Sequence, residues 1–455
     1  MLEARVEEAE TVQSSEAADG SQWEPVPAFS ASGRFWWGLL ALTVLALTTR
    51  VLYATLWKWH FSSPGFNDVD FYRTEALKIA EGIWYPNFYI NASNHPPLFG
   101  LVLSATDVAR LMTYGEQLLF VAFLGTIVVF VVGLIGRQIA GDRAGLIAAA
   151  VAALYPGFWL QGSRVMPEPL AMVTVAVTIL ACYSLIRKPA WSRAVWVGVG
   201  CGLAALTRSE LVLLLPLAVW PMIGWLRQLP IRQRLWLAIV ASVAMLVVMT
   251  PWMASNVLRF HEPELLSTQA GVTLAGSNCP NTYYGSYIGY WSLRCAEQPD
   301  LQKNIAAYDI ALAHVAERYA IAHLTRLPDV IWAREGRAWG FYKPSQQARL
   351  NALGEDGWNL TAAHAQVWFQ YVIVGLAAAG VVVLRRKRAP LSPLVGVIVL
   401  DILVVALFYA DPRFLSSGQV ALVVLSGVAI DAGVREITKR RSVRTGAVES
   451  EHVQL

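Results

Sequence analysis

Long apolar runs that alternate with short polar connections constrain this chain more than any other feature. Ten such runs cover residues 35–57, 116–136, 144–161, 168–186, 194–207, 210–226, 235–253, 364–384, 391–410 and 414–433. A helix of about 20 apolar residues spans the hydrocarbon core of a bilayer and satisfies its own backbone hydrogen bonds. Only 15% of the 455 residues are charged, compared with about 25% in soluble domains. The sequence therefore predicts an all-α, polytopic membrane protein and excludes an ordinary cytosolic enzyme.

Basic residues predict the orientation, because they cluster in every second connection between the runs. The clusters are Arg137/Arg143, Arg187/Lys188/Arg193, Arg227/Arg232/Arg234, 385–388 and 435–444. Lys and Arg are enriched in cytoplasmic loops, so all five clusters are predicted to be cytoplasmic. Ten spans then leave both termini in the cytoplasm. The remaining connections face the periplasm or exterior of the plasma (inner) membrane.

The region 194–226 is too long for one upright span and carries Arg208 and Glu210 near its middle. As a single span it would place Arg227 to Arg234 outside and break the charge rule. Two short spans that meet at an outer turn fit the charge rule better. One broken span is the alternative.

The spans and charges divide the chain into five segments. They are a disordered acidic cytoplasmic tail (1–34), an N-terminal membrane module (35–253) with a first outer loop (58–115), a second outer segment (254–363), C-terminal spans (364–433) and a basic cytoplasmic tail (434–455). In the first outer loop, an amphipathic stretch over 70–81 and a run over 97–112 are predicted to be helices on the membrane surface. A further helix is predicted over 303–326.

The four cysteines form two pairs of different character. Cys279 and Cys295 lie in the second outer segment, which would be in an oxidising compartment, so a disulfide is predicted; two unpaired thiols are the alternative. Cys182 and Cys201 fall within spans, where packing residues are expected.

Acids and guanidinium groups accumulate at the predicted outer face, in six separate segments. They are Arg50, Asp68, Asp70, His95, Arg164, Glu168, Arg208, Glu210, Asp411 and Arg413. A charge at membrane depth costs at least ~2.5 kcal/mol on insertion scales, so it usually has a partner or a function. Arginines bind anions, and carboxylates perform proton or metal chemistry. The set predicts a site that binds an anion; the alternative is that each residue is solvated at a helix end.

Individual residues also have simple structural interpretations. Asp68 lies four residues before Tyr72 and would share a helical face with it, but Asp68 is equally suited to cap that helix. Glu168 suits the first turn of a helix because of the helix dipole. Arg208 and Arg413 each adjoin an acid, so local ion pairs would also account for them.

Several other chemistries find no support in the sequence. It contains no Walker loop, dinucleotide fingerprint, HExxH or paired CxxC motif, so soluble nucleotides are not expected as substrates. The net charge is only +4, and the basic residues lie in connections between spans. Nucleic acid is therefore not expected as a partner.

Short motifs between about residues 35 and 433 resemble those of the integral-membrane GT-C glycosyltransferases. They are Asp68-x-x-x-Tyr72, His95-Pro96-Pro97-Leu98, Arg164 to Glu168, the Gly202 to Arg208 stretch, Pro251-Trp252 with Asn256, and Asp411-Pro412-Arg413-Phe414. The nearest branch contains protein O-mannosyltransferases and lipid A aminoarabinose transferases. The resemblance implies a GT-C-type transmembrane helical bundle and a polyprenyl-phosphate-linked sugar as donor.

The resemblance also implies roles for individual residues. Asp68 looks like the catalytic base, and Glu168 matches an acidic position near the donor phosphate or a metal. A divalent ion, Mg²⁺ or Mn²⁺, near these two carboxylates is a further expectation. Donor-phosphate contacts are expected from Arg208, His95, Arg164 and Arg413. Support of the substrate site is expected from Asp70, Tyr72, Arg50 and Glu210.

The expected function is inverting transfer of a sugar to a hydroxyl acceptor at the outer face of the membrane. The expected partners are the lipid-linked donor, an acceptor that is an envelope glycan, a glycolipid or a protein, and membrane lipids. Three alternatives remain: a polymerase or ligase that uses lipid-linked oligosaccharide, a transporter or flippase of a lipid-linked or anionic solute, and a structural or partner-binding membrane protein. Transporters usually place their site near the midplane and show repeats, and neither feature is evident here.

Overall fold

The structure is a computed structural model that describes residues 23–59, 68–83, 95–297, 304–354 and 357–452, with side chains as far as Arg441. The helices of the N-terminal half are α1 (Gly33–Tyr53), α2 (Asp68–Ala80), α3 (Leu98–Val108), α4 (Tyr114–Ala140), α5 (Asp142–Leu154), α6 (Pro156–Gln161), α7 (Glu168–Arg187), α8 (Trp191–Thr207), α9 (Trp220–Trp225) and α10 (Ile231–Phe260). Those of the C-terminal half are α11 (Ala270–Ser277), α12 (Pro280–Tyr283), α13 (Leu293–Ala296), α14 (Ile305–Ala322), α15 (Leu327–Ala338), α16 (Pro344–Leu353), α17 (Leu360–Arg386), α18 (Ser392–Leu407) and α19 (Ser416–His452). The described ranges contain no β-strand, and the predicted all-α class is confirmed.

The chain is a multi-pass membrane protein. In the part of the chain that the structure describes, five helices are long and apolar enough to cross a bilayer: α1 with its π-helical extension to Lys58, α4, α7, α10 and α17. The other predicted spans fall on shorter or broken helices. They are α5 with α6, α8, the broken stretch Ser209–Trp225, α18 and the first part of α19.

The broken stretch has a clear cause in the sequence. Helix α8 ends at Thr207, and Arg208 has an extended backbone (φ −146°, ψ 124°). A 3₁₀-helix (Ser209–Leu213), a π-helix (Leu215–Val219) and α9 follow. Pro216 and Pro221 lie in this stretch, and a proline removes one backbone donor and disfavours the regular α-helix around it. The turn predicted around Arg208 is present.

Small residues allow the membrane helices to approach closely. A Cβ atom on Gly198 of α8 would lie 2.1 Å from the carbonyl oxygen of Ala241 in α10. A Cβ on Gly145 of α5 would lie 2.5 Å from the carbonyl oxygen of Gly133 in α4. Helix association in lipid depends on this kind of packing, because lipid tails are as apolar as the side chains themselves.

The two helices of the first outer loop pack over the end of the bundle. Tyr72 of α2 and Phe99 and Leu103 of α3 are buried, and they share an apolar cluster with Val165 and Met166, which precede α7. The two helices were predicted to lie on the membrane surface. They cover the end of the bundle, to which both present apolar side chains, and their place on the membrane surface stays a prediction. The rest of the loop, 60–67 and 84–94, lies outside the described residues.

At the opposite end of the bundle, part of the segment that was predicted to be a disordered N-terminal tail contacts the helices. Residues 23–32 are not a free tail: the indole N–H of Trp23 donates to the Ile139 carbonyl over 3.1 Å, and the Val26 N–H donates to the Gln138 carbonyl over 2.8 Å. Disorder was predicted for these residues because contacts of this kind leave no apolar periodicity in the sequence. At the other terminus α19 continues past 433 to His452. Residues 1–22 lie outside the described residues.

Gly198→Ala is expected to destabilise the protein by about 1–3 kcal/mol, because the new methyl group meets the α10 backbone and overpacks the contact. The matched control is Gly375→Ala in α17, where a Cβ would meet nothing within 4 Å. The control is expected to be neutral or slightly stabilising, since Ala is the better helix former. Thermal unfolding in detergent measures both, and equal melting temperatures for the two variants would contradict the packing.

Candidate active site

A cavity of about 740 Å³ opens at the end of the bundle that carries the first outer loop. It is lined by eight of the ten residues that were given a role in the site, which are Asp68, Tyr72, His95, Arg164, Glu168, Arg208, Glu210 and Arg413, and also by Asp411. These residues come from α2, the start of α3, the entry to α7, the turn after α8 and the turn before α19. The fold therefore brings together side chains that are up to 345 positions apart in sequence.

Arg50 and Asp70 are not among the residues that line this cavity. Arg50 is buried inside the bundle, where its Nη1 donates to the Ala46 carbonyl over 3.1 Å. Its side chain lies against Gly125 of α4. Asp70 lies in the first turn of α2, two residues beyond Asp68, so the two carboxylates point in different directions around the helix.

Asp68 is held between two basic side chains. Its Oδ1 lies 3.4 Å from Nε2 of His95, and its Oδ2 lies 3.4 Å from Nη1 of Arg413. It is the first residue of α2, where the helix dipole favours a negative charge. About a quarter of the Asp68 side chain (26%) remains exposed. The carboxylate is therefore both charge-compensated and accessible from the cavity.

The surroundings of Asp68 keep its carboxyl group ionised. Burial alone would raise its pKa, but the hydrogen bond and charge of His95 and the charges of Arg413 and Arg164 outweigh burial. The net effect holds the pKa of Asp68 well below its usual range. Asp68 is therefore a hydrogen-bond acceptor throughout the physiological pH range.

Aromatic packing fixes His95. The rings of Tyr72 and His95 stack, with centroids 4.8 Å apart and planes at 27°. Phe71 meets the same imidazole edge-on at 5.2 Å, and Phe99 meets Tyr72 edge-on at 5.0 Å. Asp68 and Tyr72 share a face of α2, as their spacing of four predicts. One helical face therefore supplies both the Asp68 carboxylate and the ring that stacks on His95, which contacts that carboxylate.

Arg208 is the second centre of charge. Its Nη1 donates to Oε1 of Glu168 over 2.7 Å, and its Nε donates to Glu210. The Arg208 guanidinium also lies over the ring of Phe414, 5.2 Å from the centroid, and Arg413 lies 5.5 Å from the same centroid. Two guanidinium groups thus converge on one ring at the cavity wall. Each is paired with carboxylates, and both belong to the residue type that forms charge-assisted hydrogen bonds with anions.

Part of the wall is aromatic, and sequence reasoning missed it. Trp291 lies 6.2 Å from Tyr409 between ring centroids, and Tyr409 lies 4.9 Å from Phe414. Nη2 of Arg413 donates to the Tyr409 hydroxyl over 2.7 Å. No motif marks Trp291. The one available signal is its position four residues before Cys295, inside the predicted disulfide loop.

That loop is closed in the structure. Cys279 and Cys295 form a disulfide with Cα atoms 6.3 Å apart, while Cys182 and Cys201 are unpaired and buried. The loop is joined to the site by a hydrogen bond from the Ala410 N–H to the Gly289 carbonyl over 2.9 Å. Ala410 immediately precedes Asp411, so the disulfide loop and the Asp-Pro-Arg turn form one wall.

The described residues of the cavity do not assemble a set of three or more metal ligands. Within the described ranges no group of three or more His, Cys, Asp or Glu side chains could hold a metal ion. Asp68 faces Arg413, and Glu168 is bonded to Arg208, so guanidinium groups already neutralise both carboxylates that were predicted as ligands. Mg²⁺ and Mn²⁺ need several oxygen ligands, and this donor set does not fit them.

Comparisons with known proteins agree on one class. A family model described as dolichyl-phosphate-mannose-protein mannosyltransferase matches residues 94–254, about a third of the chain. No curated protein sequence matches the chain significantly.

Solved structures extend the similarity to almost the whole chain. The archaeal oligosaccharyltransferase AglB from Archaeoglobus fulgidus, in complex with an inhibitory peptide and a dolichol-phosphate, has a TM-score of 0.54 at 14% identity and covers 91% of this chain and 52% of its own. The Archaeoglobus fulgidus oligosaccharyltransferase tethered with an acceptor peptide that contains the NVT sequon gives 0.52 at 16% identity, with 90% and 51% coverage. ArnT from Cupriavidus metallidurans bound to undecaprenyl phosphate gives 0.43 at 15% identity, with 90% and 80% coverage. That last similarity is too weak to support the fold by itself.

The chain has the fold of these archaeal oligosaccharyltransferases, and together with the family model over 94–254 this similarity confirms the resemblance to GT-C glycosyltransferases that was inferred from its motifs. Identities of 14–16% establish the fold alone. The chain spans about half the length of the oligosaccharyltransferases that it matches.

Replacing Cys279 and Cys295 by serine is expected to destabilise the second outer segment. A disulfide that closes a loop over a sequence separation of 16 contributes roughly 3 kcal/mol in the chain-entropy model. The double serine variant should therefore unfold at a lower temperature than the wild type in non-reducing detergent solution. The Cys182→Ser/Cys201→Ser variant changes the same residue types without breaking a disulfide. A reductant should lower the melting temperature of that control but not of the Cys279/Cys295 variant; equal effects of the reductant on both would contradict the role of the bond.

Proposed function

We propose that this protein is a membrane glycosyltransferase that moves a sugar from a polyprenyl-phosphate donor to a hydroxyl acceptor at the outer face of the plasma membrane. The observation that carries the proposal is the ionised, accessible carboxylate of Asp68, which lies between His95 and Arg413 in a cavity that also contains Arg208. The family model over 94–254 names a dolichyl-phosphate-linked sugar as donor. The structure of AglB contains a dolichol-phosphate.

The arginines suit the phosphate of such a donor. Guanidinium groups form bidentate, charge-assisted hydrogen bonds with phosphate oxygens. Arg208, Arg413 and Arg164 all line the cavity. When the bond between the sugar and the phosphate breaks, negative charge grows on the leaving phosphate, and fixed cations then stabilise the transition state more than the ground state. Glu168 acts as a positioning residue in this proposal, because its 2.7 Å bond orients Arg208.

Asp68 is proposed as the general base. Both of its contacts measure 3.4 Å, longer than the 2.7–2.9 Å typical of charge-assisted hydrogen bonds, so its oxygens can accept a proton from an acceptor hydroxyl. The acceptor oxygen attacks the anomeric carbon, its proton moves to Asp68, and the carbon–oxygen bond to the phosphate breaks. A single displacement of this kind inverts the anomeric configuration.

The low pKa of Asp68 has a consequence for this step. A carboxylate stabilised by His95, Arg413 and Arg164 is a weak base toward a free alcohol. The acceptor oxygen becomes far more acidic as it bonds to the anomeric carbon, so that the proton transfers late. Base catalysis of this type typically contributes 10²–10⁴-fold. No step in the proposal passes through a metal ion, since the donor set does not fit one.

Purified protein is expected to transfer radiolabelled mannose from polyprenyl-phosphate mannose to an envelope-glycan, glycolipid or peptide acceptor. Asp68→Asn should lower the rate at least 100-fold, because the amide cannot take the proton. The matched control is Asp70→Asn on the same helix, whose side chain does not line the cavity. The control should retain most of the activity.

Two results would contradict this proposal. Equal activities of Asp68→Asn and Asp70→Asn would show that Asp68 is not the general base. If the wild type transferred no sugar from lipid-linked mannose, arabinose or oligosaccharide donors, it would not be a glycosyltransferase. Uptake of the sugar-lipid into vesicles would then favour a flippase. Transfer of an oligosaccharide alone would identify the ligase alternative.

The pH dependence of kcat/KM is expected to show how His95 and Arg413 lower the pKa of Asp68. Below its pKa the carboxyl group is protonated and cannot act as a base, and the wild-type pKa lies well below the usual range. In His95→Gln/Arg413→Gln, burial acts with little compensation and raises the pKa to or above its ordinary value of ~3.9. The residual kcat/KM of the variant should therefore fall as the pH drops from roughly 6 to 4, while the wild type keeps its base form. His95→Gln/Arg413→Lys retains one cation and should show a smaller fall. Identical acid limbs in all three proteins would contradict the assignment.

A further inference from the structure

The disulfide loop places one indole in the cavity with its backbone fixed on both sides. Before Trp291, the Gly289 carbonyl accepts a hydrogen bond from the Ala410 N–H over 2.9 Å. After it, the Ser292 N–H donates to the Gly276 carbonyl over 3.0 Å. Trp291 itself lines the cavity. Its position relative to the Asp411–Arg413 turn is therefore set by the backbone as well as by side-chain packing.

Two arginines of α15 donate hydrogen bonds to backbone carbonyls in this loop and next to it. Arg334, which is 1% exposed, donates to the Ser277 carbonyl over 2.7 Å and to the Ala406 carbonyl over 2.7 Å. Arg337, which is 0% exposed, donates to the Ile288 carbonyl over 2.7 Å. A buried guanidinium is costly unless its donors are used. Through the donors that are used, Arg334 joins Ser277, just before the loop, to the end of α18, and Arg337 joins the loop itself to α15.

The orientation of the indole follows from Gly276. A Cβ atom at this position would lie 2.0 Å from Nε1 of Trp291, so the nitrogen edge is packed against the α11 backbone. Nε1 is buried and has no hydrogen-bond partner among the described residues. The side chain as a whole is only partly buried. The part of Trp291 that meets the cavity is therefore the carbon face of the ring and not its N–H group.

This apolar face lies beside the charged centre. Trp291 is next to Tyr409, whose hydroxyl accepts from Arg413 over 2.7 Å, and Arg413 in turn contacts Asp68. A sugar ring has the complementary chemistry: its C–H groups form an apolar face that packs on the electron-rich face of an aromatic ring, while its hydroxyls bond to charged groups at its edge.

On the basis of the proposed function, we infer that Trp291 is a sugar-binding residue on whose face the ring of a substrate sugar stacks beside Asp68. The sugar is that of the donor or that of a glycan acceptor, since both must meet at Asp68. The disulfide and the Arg334–Arg337 pair position this residue.

Steady-state kinetics with the donor and the acceptor varied in turn tests this inference. Trp291→Leu keeps an apolar side chain but removes the aromatic face, and KM for one of the two substrates should rise about three- to tenfold, the range of an aromatic contact. The value of kcat should change less than twofold, because a stack present in ground and transition states contributes to binding only. Trp291→Phe should restore KM to within about twofold. Which KM rises identifies the donor or the acceptor as the stacked sugar.

Two controls separate binding from structure. Trp332 of α15 is 73% exposed, so Trp332→Leu makes the same chemical change away from the cavity and should leave both KM values unchanged. Gly276→Ala displaces the indole and should reproduce the KM of Trp291→Leu, whereas Gly375→Ala should not. Unchanged KM values in Trp291→Leu, or equal effects of Phe and Leu at 291, would overturn the inference.

A binding measurement keeps this inference distinct from the proposed function. Saturation-transfer NMR with octyl mannoside, octyl glucoside and octyl arabinofuranoside reports ring binding without turnover. Binding of one of them to the wild type but at least threefold weaker binding to Trp291→Leu would support the sugar site even if no transfer were found. No binding of any of them, or equal binding to both proteins, would overturn the site, even if transfer by the wild type upheld the enzyme assignment.

Discussion

Compensation of buried charge at one end of an apolar bundle is the constraint on which the rest of the site depends. Arg208 pairs with Glu168 and Glu210, and Arg413 pairs with Asp68 and Asp411. An isolated charge in such surroundings is costly, so each guanidinium holds a carboxylate from another segment of the chain close to it. These ion pairs bring α2, the start of α7, the turn after α8 and the turn before α19 to one cavity. The same groups that stabilise this end of the bundle are therefore the ones available for chemistry.

The second outer segment is fixed over the cavity by a different kind of contact. The segment is built from short helices, and its loop carries a disulfide. Arg334 and Arg337 donate mainly to backbone carbonyls. Because buried carbonyl groups need partners, two long basic side chains can organise several turns of irregular backbone at once. The result is a fixed wall of the cavity. In this wall Trp291, Tyr409 and Phe414 form a continuous aromatic strip beside the charged residues.

The predictions from the sequence succeeded where a local pattern had a single physical cause. Hydropathy predicted ten spans, and five of them fall on helices that, among the described residues, are long and apolar enough to cross a bilayer. The position of Arg208 predicted the break in the region 194–226, because a charged turn and prolines cannot continue a regular membrane helix. The contacts of residues 23–32 were not predicted. These residues attach to the bundle through hydrogen bonds to backbone carbonyls, and α19 continues into a charged stretch; apolar periodicity gives no signal for either. Arg50 was grouped with the site because of its charge, yet it lies inside the bundle, since the helical direction of its side chain depends on packing against α4.

The sequence by itself determined that the chain crosses a membrane several times and that acids and arginines from several separate segments lie at the end of the first outer loop, because hydropathy and the spacing of charges act locally along a chain. It also supplied the residue types of the site, as the pairing of Asp68 with Tyr72 on one helical face shows. Only the tertiary structure decided which charges pair: Asp68 meets Arg413 across 345 positions, and no local pattern encodes such a contact. Only the tertiary structure placed Trp291 at the cavity, because its position depends on a disulfide, on Gly276 and on two arginines of another helix acting together.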